Sequence, residues 1–297
     1  MIKDYVYSFS GKHEPVESVK KGEEVIFKSL DCFSNQVRSE DQLVTSLDFD
    51  RVNPATGPVY VEDAKPGDIL VVDLLDIEVE DRGFIATLPE TGPLSEQSEL
   101  RTKEIPIEDG HIVFNDVKLP INPMVGVIGV APETGELTCG FPASHGGNMD
   151  CNKIVKGSRL YFRVNVDGAL FQLGDLHALM GDGEIAGSGV EIPGKVTVKF
   201  DLIKEPKVDL EWPVLETDDM WYAIGSDQDM VKALHYASKQ VQDLVTTAYG
   251  WDNTDAYLYM SAAGSFEICQ GCKPSDLPVA VRFGVPKLEE KPGLINY

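Results

Sequence analysis

Pro66-Gly67-Asp68, followed by Ile69-Leu70-Val71-Val72-Asp73-Leu74-Leu75-Asp76-Ile77-Glu78-Val79, is the stretch that decides the fold. The triplet is a turn, because proline presets its backbone angle and glycine reaches conformations closed to other residues. The run after it is apolar and rich in β-branched residues. Its second half alternates Ile77 and Val79 with Asp76 and Glu78, as a half-exposed strand does. Arg159 to Val166 and Lys195 to Ile203 read alike; in the latter Val196, Val198, Phe200 and Leu202 alternate with Thr197, Lys199, Asp201 and Ile203. Short strands cut by glycine and proline fill most of the first 210 residues, which argues for a β-sandwich or barrel over βαβ units.

The periodicity changes near residue 225. Ser226 lies three residues before Asp229, the spacing of a capping box. Met230, Val231, Leu234, Ala237, Val241, Leu244, Val245 and Ala248 then recur at helical spacing until Gly250. A second short helix is expected from Asn253 or Thr254 to Ala263, ended by Gly264. Leu277 to Val285 returns to β character, and Lys287 to Tyr297 reads as a peripheral extension. The expected organisation is a mainly β core over 1–225, a helical segment packed on it over 226–264, and a return strand with tail over 265–297.

A chain of 297 residues buries enough surface to fold without disulfides or metal. Its net charge of −23 repels nucleic acid and anionic membranes, and suits a neutral or cationic small molecule better than an anion. No apolar stretch is long enough for a transmembrane helix. Met1-Ile2-Lys3-Asp4-Tyr5 carries an early acid and leads into no apolar run of signal-peptide length. Five cysteines at irregular spacing suit reduced thiols, so the expectation is a soluble cytoplasmic protein.

Polar, glycine-rich and ligating residues gather in three segments: Asp31-Cys32-Phe33-Ser34-Asn35-Gln36, His145-Gly146-Gly147-Asn148-Met149-Asp150, and Gly174 to Glu184. In the third, Asp175 and His177 are two apart, so on a strand they leave the same face. A carboxylate with an imidazole suits zinc or a related divalent ion; the plainer reading is a hydrogen-bonded pair. Beyond the turn Gly181-Asp182-Gly183, Glu184 is placed to serve as a general base toward metal-activated water. In the second segment the glycines permit close backbone approach, and their N–H groups could line an oxyanion site. A simple Gly-Gly turn explains them equally well. Asp31 either completes a metal site or caps its own turn.

Other features carry less. Cys269-Gln270-Gly271-Cys272 has the CxxC spacing but nothing to complete a zinc set. Cys32 ranks below activated water as nucleophile, since a small buried thiol is the commoner outcome. His235, within the helix, and His13, near the N-terminus, have no chemical neighbours, and His111 in Asp109-Gly110-His111 reads as a turn residue. The nucleophile elbow Gly-x-Ser-x-Gly, the dinucleotide fingerprint and the phosphate loop are all missing from the sequence.

Asp31 to Gln36, Asn53-Pro54-Ala55-Thr56-Gly57-Pro58-Val59-Tyr60-Val61, Pro123 to Pro132, His145 to Asp150 and Gly174 to Glu184, in this order, resemble the acetamidase/formamidase family from about residue 10 to about 285. The resemblance implies a mainly β fold with jelly-roll-like and barrel-like parts plus a small helical insertion. It also implies hydrolysis of short amides to carboxylate and ammonia by an assembly of identical subunits, a dimer or higher. Met180 and Ala186-Gly187-Ser188-Gly189 depart from the family pattern, at positions bordering the expected site. The expected site has Asp31, Asp150, Asp175 and His177 on a divalent metal, zinc or alternatively calcium. Glu184 acts as base, and His145 and Asn148 orient the amide and stabilise the oxyanion. The alternatives are a non-catalytic β-sandwich that binds a small neutral ligand, and a hydrolase of a larger or cyclic amide.

Overall fold

The structure, a computed structural model, describes residues 1–296. Ile69–Val79 is one strand, the longest of the chain. It lies inside an eight-stranded antiparallel sheet, in the order Ser265–Gln270, Val279–Pro286, Met220–Asp227, Val214–Glu216, Arg159–Arg163, Ile69–Val79, Gly194–Ile203 and Glu24–Ser29. The reason its first half does not alternate is now visible. Leu70, Val72 and Leu74 enter one core, while Ile69 and Val71 enter another on the opposite face. A strand buried on both sides reads as a continuous apolar run.

The first core is shared with a six-stranded sheet: Tyr5–Val6, Ala55–Val61, Phe171–His177, Met124–Gly129 and Gly146–Asn148 in order, with Glu17–Val19 added in parallel to Ala55–Val61. Phe27, Val196, Val198 and Phe200 of the first sheet meet Val59, Val125, Leu173 and Phe171 of the second. This is a β-sandwich. A smaller antiparallel sheet of Arg82–Ala86, Thr102–Glu108, His111–Phe114 and Val117–Pro120 extends from it.

On the outer face of the larger sheet lies α1 (Met230–Tyr249), which buries Ala233, Ala237, Gln240, Val241, Leu244 and Val245. Its cap differs from the sequence expectation. Asp229 is itself the N-cap, accepting from the Val231 N–H, whereas Ser226 belongs to the preceding strand and donates to the Pro142 carbonyl at 3.0 Å. The buried stripe therefore starts at Ala233, and Met230 and Val231 are exposed. A second helix, α2, spans Asn253–Ala263 under an Asp252 cap. The return to β structure is a pair of strands, Ser265–Gln270 and Val279–Pro286, rather than one. The expected tail, whose last residue Tyr297 lies outside the described residues, is not peripheral throughout, because Leu294 and Ile295 are buried in the helix-side core. Among the described residues no helix is long and apolar enough to cross a membrane.

Gly225 lets α1 rest on the sheet: a Cβ there would stand 2.5 Å from the Ala233 carbonyl oxygen and 2.9 Å from the Ala237 nitrogen. Gly225→Ala is expected to push the helix outward and cost about 1–3 kcal/mol. Urea unfolding checks this, with a lower midpoint and an unchanged slope.

Candidate active site

The sheet that includes Phe171–His177 and Met124–Gly129 carries an irregularity where the site forms. Val125 pairs with Leu176 and Val127 with Gly174 in unbroken register, while Gly126 and Asp175, which face each other between them, form no pair. Asp175 there adopts φ 56°, a left-handed conformation that costs free energy in a non-glycine residue. Asp150 and Glu184 do the same, each at φ 42°. Gly126 makes this possible. Its carbonyl accepts from the Met149 and Asp150 N–H groups. A Cβ on it would lie 2.5 Å from Asp150 Oδ1 and 2.7 Å from Asp175 Oδ2. The missing side chain is the space into which two carboxylates turn.

His177 completes the centre. Its Nε2 lies 3.0 Å from Glu191 Oε2, 3.3 Å from Asp175 Oδ1 and 4.0 Å from Asp150 Oδ1. None of these four atoms makes a hydrogen bond, although all are buried. Asp150, His177 and Glu184 each offer a donor atom within 4.8 Å of the other two, and Cys32, Asp175 and Glu191 form a second such group. The loop of Glu184 is clipped to the strand Ser265–Gln270 by Gly183 N–H to Cys269 O and Gly271 N–H to Gly183 O. This brings Gln270 to the site, where its amide donates to Asp150 Oδ2 at 2.5 Å and Glu184 Oε2 at 3.3 Å.

Asp31, Asp150, Asp175, Glu184 and Glu191 are each only 1–7% exposed. Among the described residues none of them forms a salt bridge to lysine or arginine; the buried Arg282 is engaged by Asp182 and Glu267. Burial pushes Asp31 up to about 7 and, aided by Glu191 and Asp175, Glu184 up to about 8. Burial and the Glu191 charge raise Asp175 to about 6; Asp150 rises well above the carboxylate range through burial and Glu184. Glu191 is the exception. Burial opposes its charge, but His177 outweighs burial and holds it below its ordinary value. His177 shows the converse: burial disfavours its cation, and Glu191 with Asp175 nonetheless raises it well above 6.5.

A cavity of about 220 Å³ opens over this cluster, lined by Asp150, Asp175, Glu184, Glu191, Gln270, Asn148, Asn53 and Cys32, with Phe33, Phe49 and Leu88 among its apolar walls. It falls below the roughly 300–1,000 Å³ of pockets for drug-sized ligands. Asn53 donates to Asn148 Oδ1 at 3.3 Å, so the Asn148 amide nitrogen is the end left for a ligand.

Of the residues singled out from sequence, Asp150, Asp175, His177, Glu184 and Asn148 come together. Asp31 sits beside them, its Oδ1 accepting from the Asn35 N–H at 2.6 Å as a turn cap does. His145 does not line the cavity: it packs edge-on against Phe9, with both ring nitrogens unpaired, and burial lowers it to about 4. The glycines after it serve packing, since a Cβ on Gly146 would meet Ile128 O at 2.3 Å and one on Gly147 would meet Phe141 O at 2.3 Å. Glu191, Gln270 and Gly126 were not singled out. Of these, Gly126 had a signal, an isolated glycine inside an apolar strand. Met180 is buried outside the cavity lining, whereas Ser188 supports Glu191 at 3.3 Å. All five cysteines are free and buried.

Two outcomes are expected. Gly126→Ala drives a methyl group between the Asp150 and Asp175 carboxylates and should weaken divalent-metal affinity about 10–100-fold, read by titration calorimetry. The second concerns pH. Asp31 and Glu184 keep their protons in the folded chain up to about 7 and 8, so raising pH through these values charges buried groups and costs stability. The raised His177 acts in the same direction, because its stabilising charge is lost as pH rises. Chelator-treated protein should therefore melt lower at pH 8.5 than at pH 6.5, and a divalent ion should reverse the loss.

The acetamidase/formamidase family model matches residues 11–139 and 135–272. The formamidase of Methylophilus methylotrophus is 28% identical over 255 residues, and the acetamidase of Mycolicibacterium smegmatis 26% identical over 256. These alignments cover 64% and 63% of this chain, and the chain spans only 62% and 63% of the lengths of those relatives. Among solved structures, the acetamidase of Bacillus halodurans superposes with a TM-score of 0.91 at 39% identity, covering 96% of each chain. A predicted acetamidase/formamidase of Thermoanaerobacter tengcongensis gives a TM-score of 0.91 at 41% identity, covering 96% of this chain and 94% of that one. The family model over most of the length and these two structures show that the chain belongs to the acetamidase/formamidase family.

Proposed function

We propose that this protein hydrolyses short linear amides, formamide and acetamide foremost, to the carboxylate and ammonia at a divalent ion held by Asp150, His177 and Glu184. The observation that carries this reading is the set of buried acids around His177, with unpaired lone pairs, on the wall of a cavity sized for a few heavy atoms. Burying several carboxylates without a cation is costly, and a divalent ion offsets that cost. An imidazole nitrogen among carboxylate oxygens suits zinc better than calcium, which prefers oxygen alone. When bound, the ion supplies Lewis acidity that polarises an amide carbonyl and makes water a nucleophile near neutral pH.

The chain's own groups do the rest. Glu191 is the acceptor for the proton of the attacking water, a role the sequence suggested for Glu184, which the geometry favours as a ligand instead. Glu191 Oε1 is held by the Gly189 N–H at 2.8 Å and by Ser188 Oγ, leaving Oε2 free of hydrogen bonds. The same carboxyl can return that proton to the departing ammonia. The Asn148 amide nitrogen donates to the carbonyl oxygen as negative charge develops there. The Gln270 amide orients Asp150 and Glu184, and Asp175 adds a negative charge beside His177 Nε2. Cys32 stays a thiol, because burial and the Glu191 and Asp175 charges raise it well above 9, which disfavours a cysteine nucleophile. His145, neutral and behind the wall, supports the Gly146–Asn148 strand. The proposal includes a cytoplasmic location, in keeping with five unpaired cysteines, and an assembly of identical subunits.

Ammonia release from formamide and acetamide tests the reaction, before and after chelation and zinc readdition. Turnover that is lost and then restored is expected; full turnover in metal-free protein contradicts the metal, and a thermal shift without ammonia would make the protein a binder. Glu191→Gln should lower kcat about 10²–10⁴-fold with metal content retained, and an unchanged kcat would remove Glu191 from the proton path.

A further inference from the structure

A second cavity, of about 350 Å³, lies against the first. Its lining is largely apolar, with Leu88, Pro89, Pro93, Leu94, Leu100 and Ile185 among its residues. The partition between the two is thin. Leu88 lines both cavities. The segment after the proposed ligand divides its residues between them: Glu184 and Gly187 face the acid cavity, Ile185 and Ala186 the apolar one. Gly187 packs tightly on this partition, since a Cβ there would stand 2.7 Å from Thr91 Cγ2 and 3.0 Å from Leu88 Cδ1. The backbone of the partition is fixed from behind, where Gly92 donates to the Cys272 and Pro274 carbonyls.

We infer that Leu88 is a specificity-determining residue: its side chain closes the acid cavity against the apolar pocket and so limits the acyl chain of the substrate to one or two carbons. The inference rests on the amide-hydrolysis reading. An amide in the acid cavity, with its carbonyl carbon beside Glu191, has two directions for its substituents. The polar one is occupied by Asn148, Gln270 and the acids. Among the apolar walls on the other side, Leu88 is the residue that also lines the second cavity, a space that aliphatic carbons would fill. Leu88 is half-buried and its side chain packs on the cluster of Cys32, Phe33 and Phe84. Shortening it removes the partition without touching an acid or a proposed ligand.

The test compares kcat/KM for formamide, acetamide, propionamide and butyramide in the wild type, Leu88→Ala and Leu88→Phe. The wild type should lose efficiency from acetamide to butyramide. Leu88→Ala should raise the butyramide-to-acetamide ratio up to about fifteenfold, from roughly fourfold for each of the two methylenes newly buried. Leu88→Phe should lower the acetamide-to-formamide ratio. Adding Ile185→Asp to Leu88→Ala should cancel the gain, because a carboxylate in the pocket repels aliphatic carbons; Ile185 is 56% exposed, so the change leaves the fold intact. Ratios that stay within about twofold of wild type in both Leu88 variants overturn the inference. Absence of ammonia from every amide would instead defeat the hydrolysis reading. The partition is then judged by calorimetric binding of butyramide, expected only in Leu88→Ala and contradicted by equal binding in the wild type.

Discussion

Carboxylates crowded into a dry enclosure repel one another and miss their water, and only positive charge or protons can hold them there. Around His177 this protein places Asp150, Asp175, Glu184 and Glu191, with Asp31 close enough to Glu191 and Asp175 to feel their charge, all buried, with one imidazole as the nearby cationic group. The two ways out differ chemically. If the acids keep protons, the cluster is inert hydrogen-bonding material; if a cation binds, they become ligands and bases. The unpaired oxygens of Asp150, Asp175 and Glu191 favour the second, because protonated carboxyls would be expected to pair with one another.

Much of the surrounding chain can be understood as supporting that arrangement. The sandwich core supplies a rigid sheet, and Gly126 removes one side chain from it at the point where two aspartates turn inward. Three of the acids, Asp150, Asp175 and Glu184, sit in left-handed backbone conformations. Such strain persists only where neighbouring structure over-determines it, and it concentrates at functional sites. Here the neighbours are hydrogen bonds to the Gly126 carbonyl and the clip between the Gly183 loop and the strand Ser265–Gln270. The helices lie on the far face of the larger sheet, against the second core. They brace the sheet from behind, and none of their residues lines the acid cavity.

The sequence was informative where one physical cause dominates. Ile69–Val79 is legible as a strand because burial on two faces and turn chemistry agree, and α1 because its apolar stripe is long. Its start was misjudged because Ser226 and Asp229 both carry capping side chains, and only packing decides that Ser226 stays in the sheet. Asp175 and His177 were found through their spacing on one strand face. Glu191 escaped notice because a single acid beyond a glycine-rich turn looks like any surface carboxylate. Gln270 escaped because it lies between two cysteines whose spacing drew attention to themselves. His145 was overrated for the opposite reason: its Gly-Gly neighbours looked made for a ligand, but they accommodate the backbone of Met124–Gly129 and the Phe141 carbonyl. Chain pattern reveals what a local period demands. It does not reveal which distant groups a fold brings to one point.

Anomalous scattering at the zinc absorption edge, from crystals of protein reconstituted with zinc, tests the central claim most directly. The account predicts a strong peak within about 2.0–2.2 Å of Asp150, His177 and Glu184, the ordinary span of zinc bonds to nitrogen and oxygen. A fully occupied peak elsewhere on the chain, or no peak with these side chains paired among themselves, would contradict it.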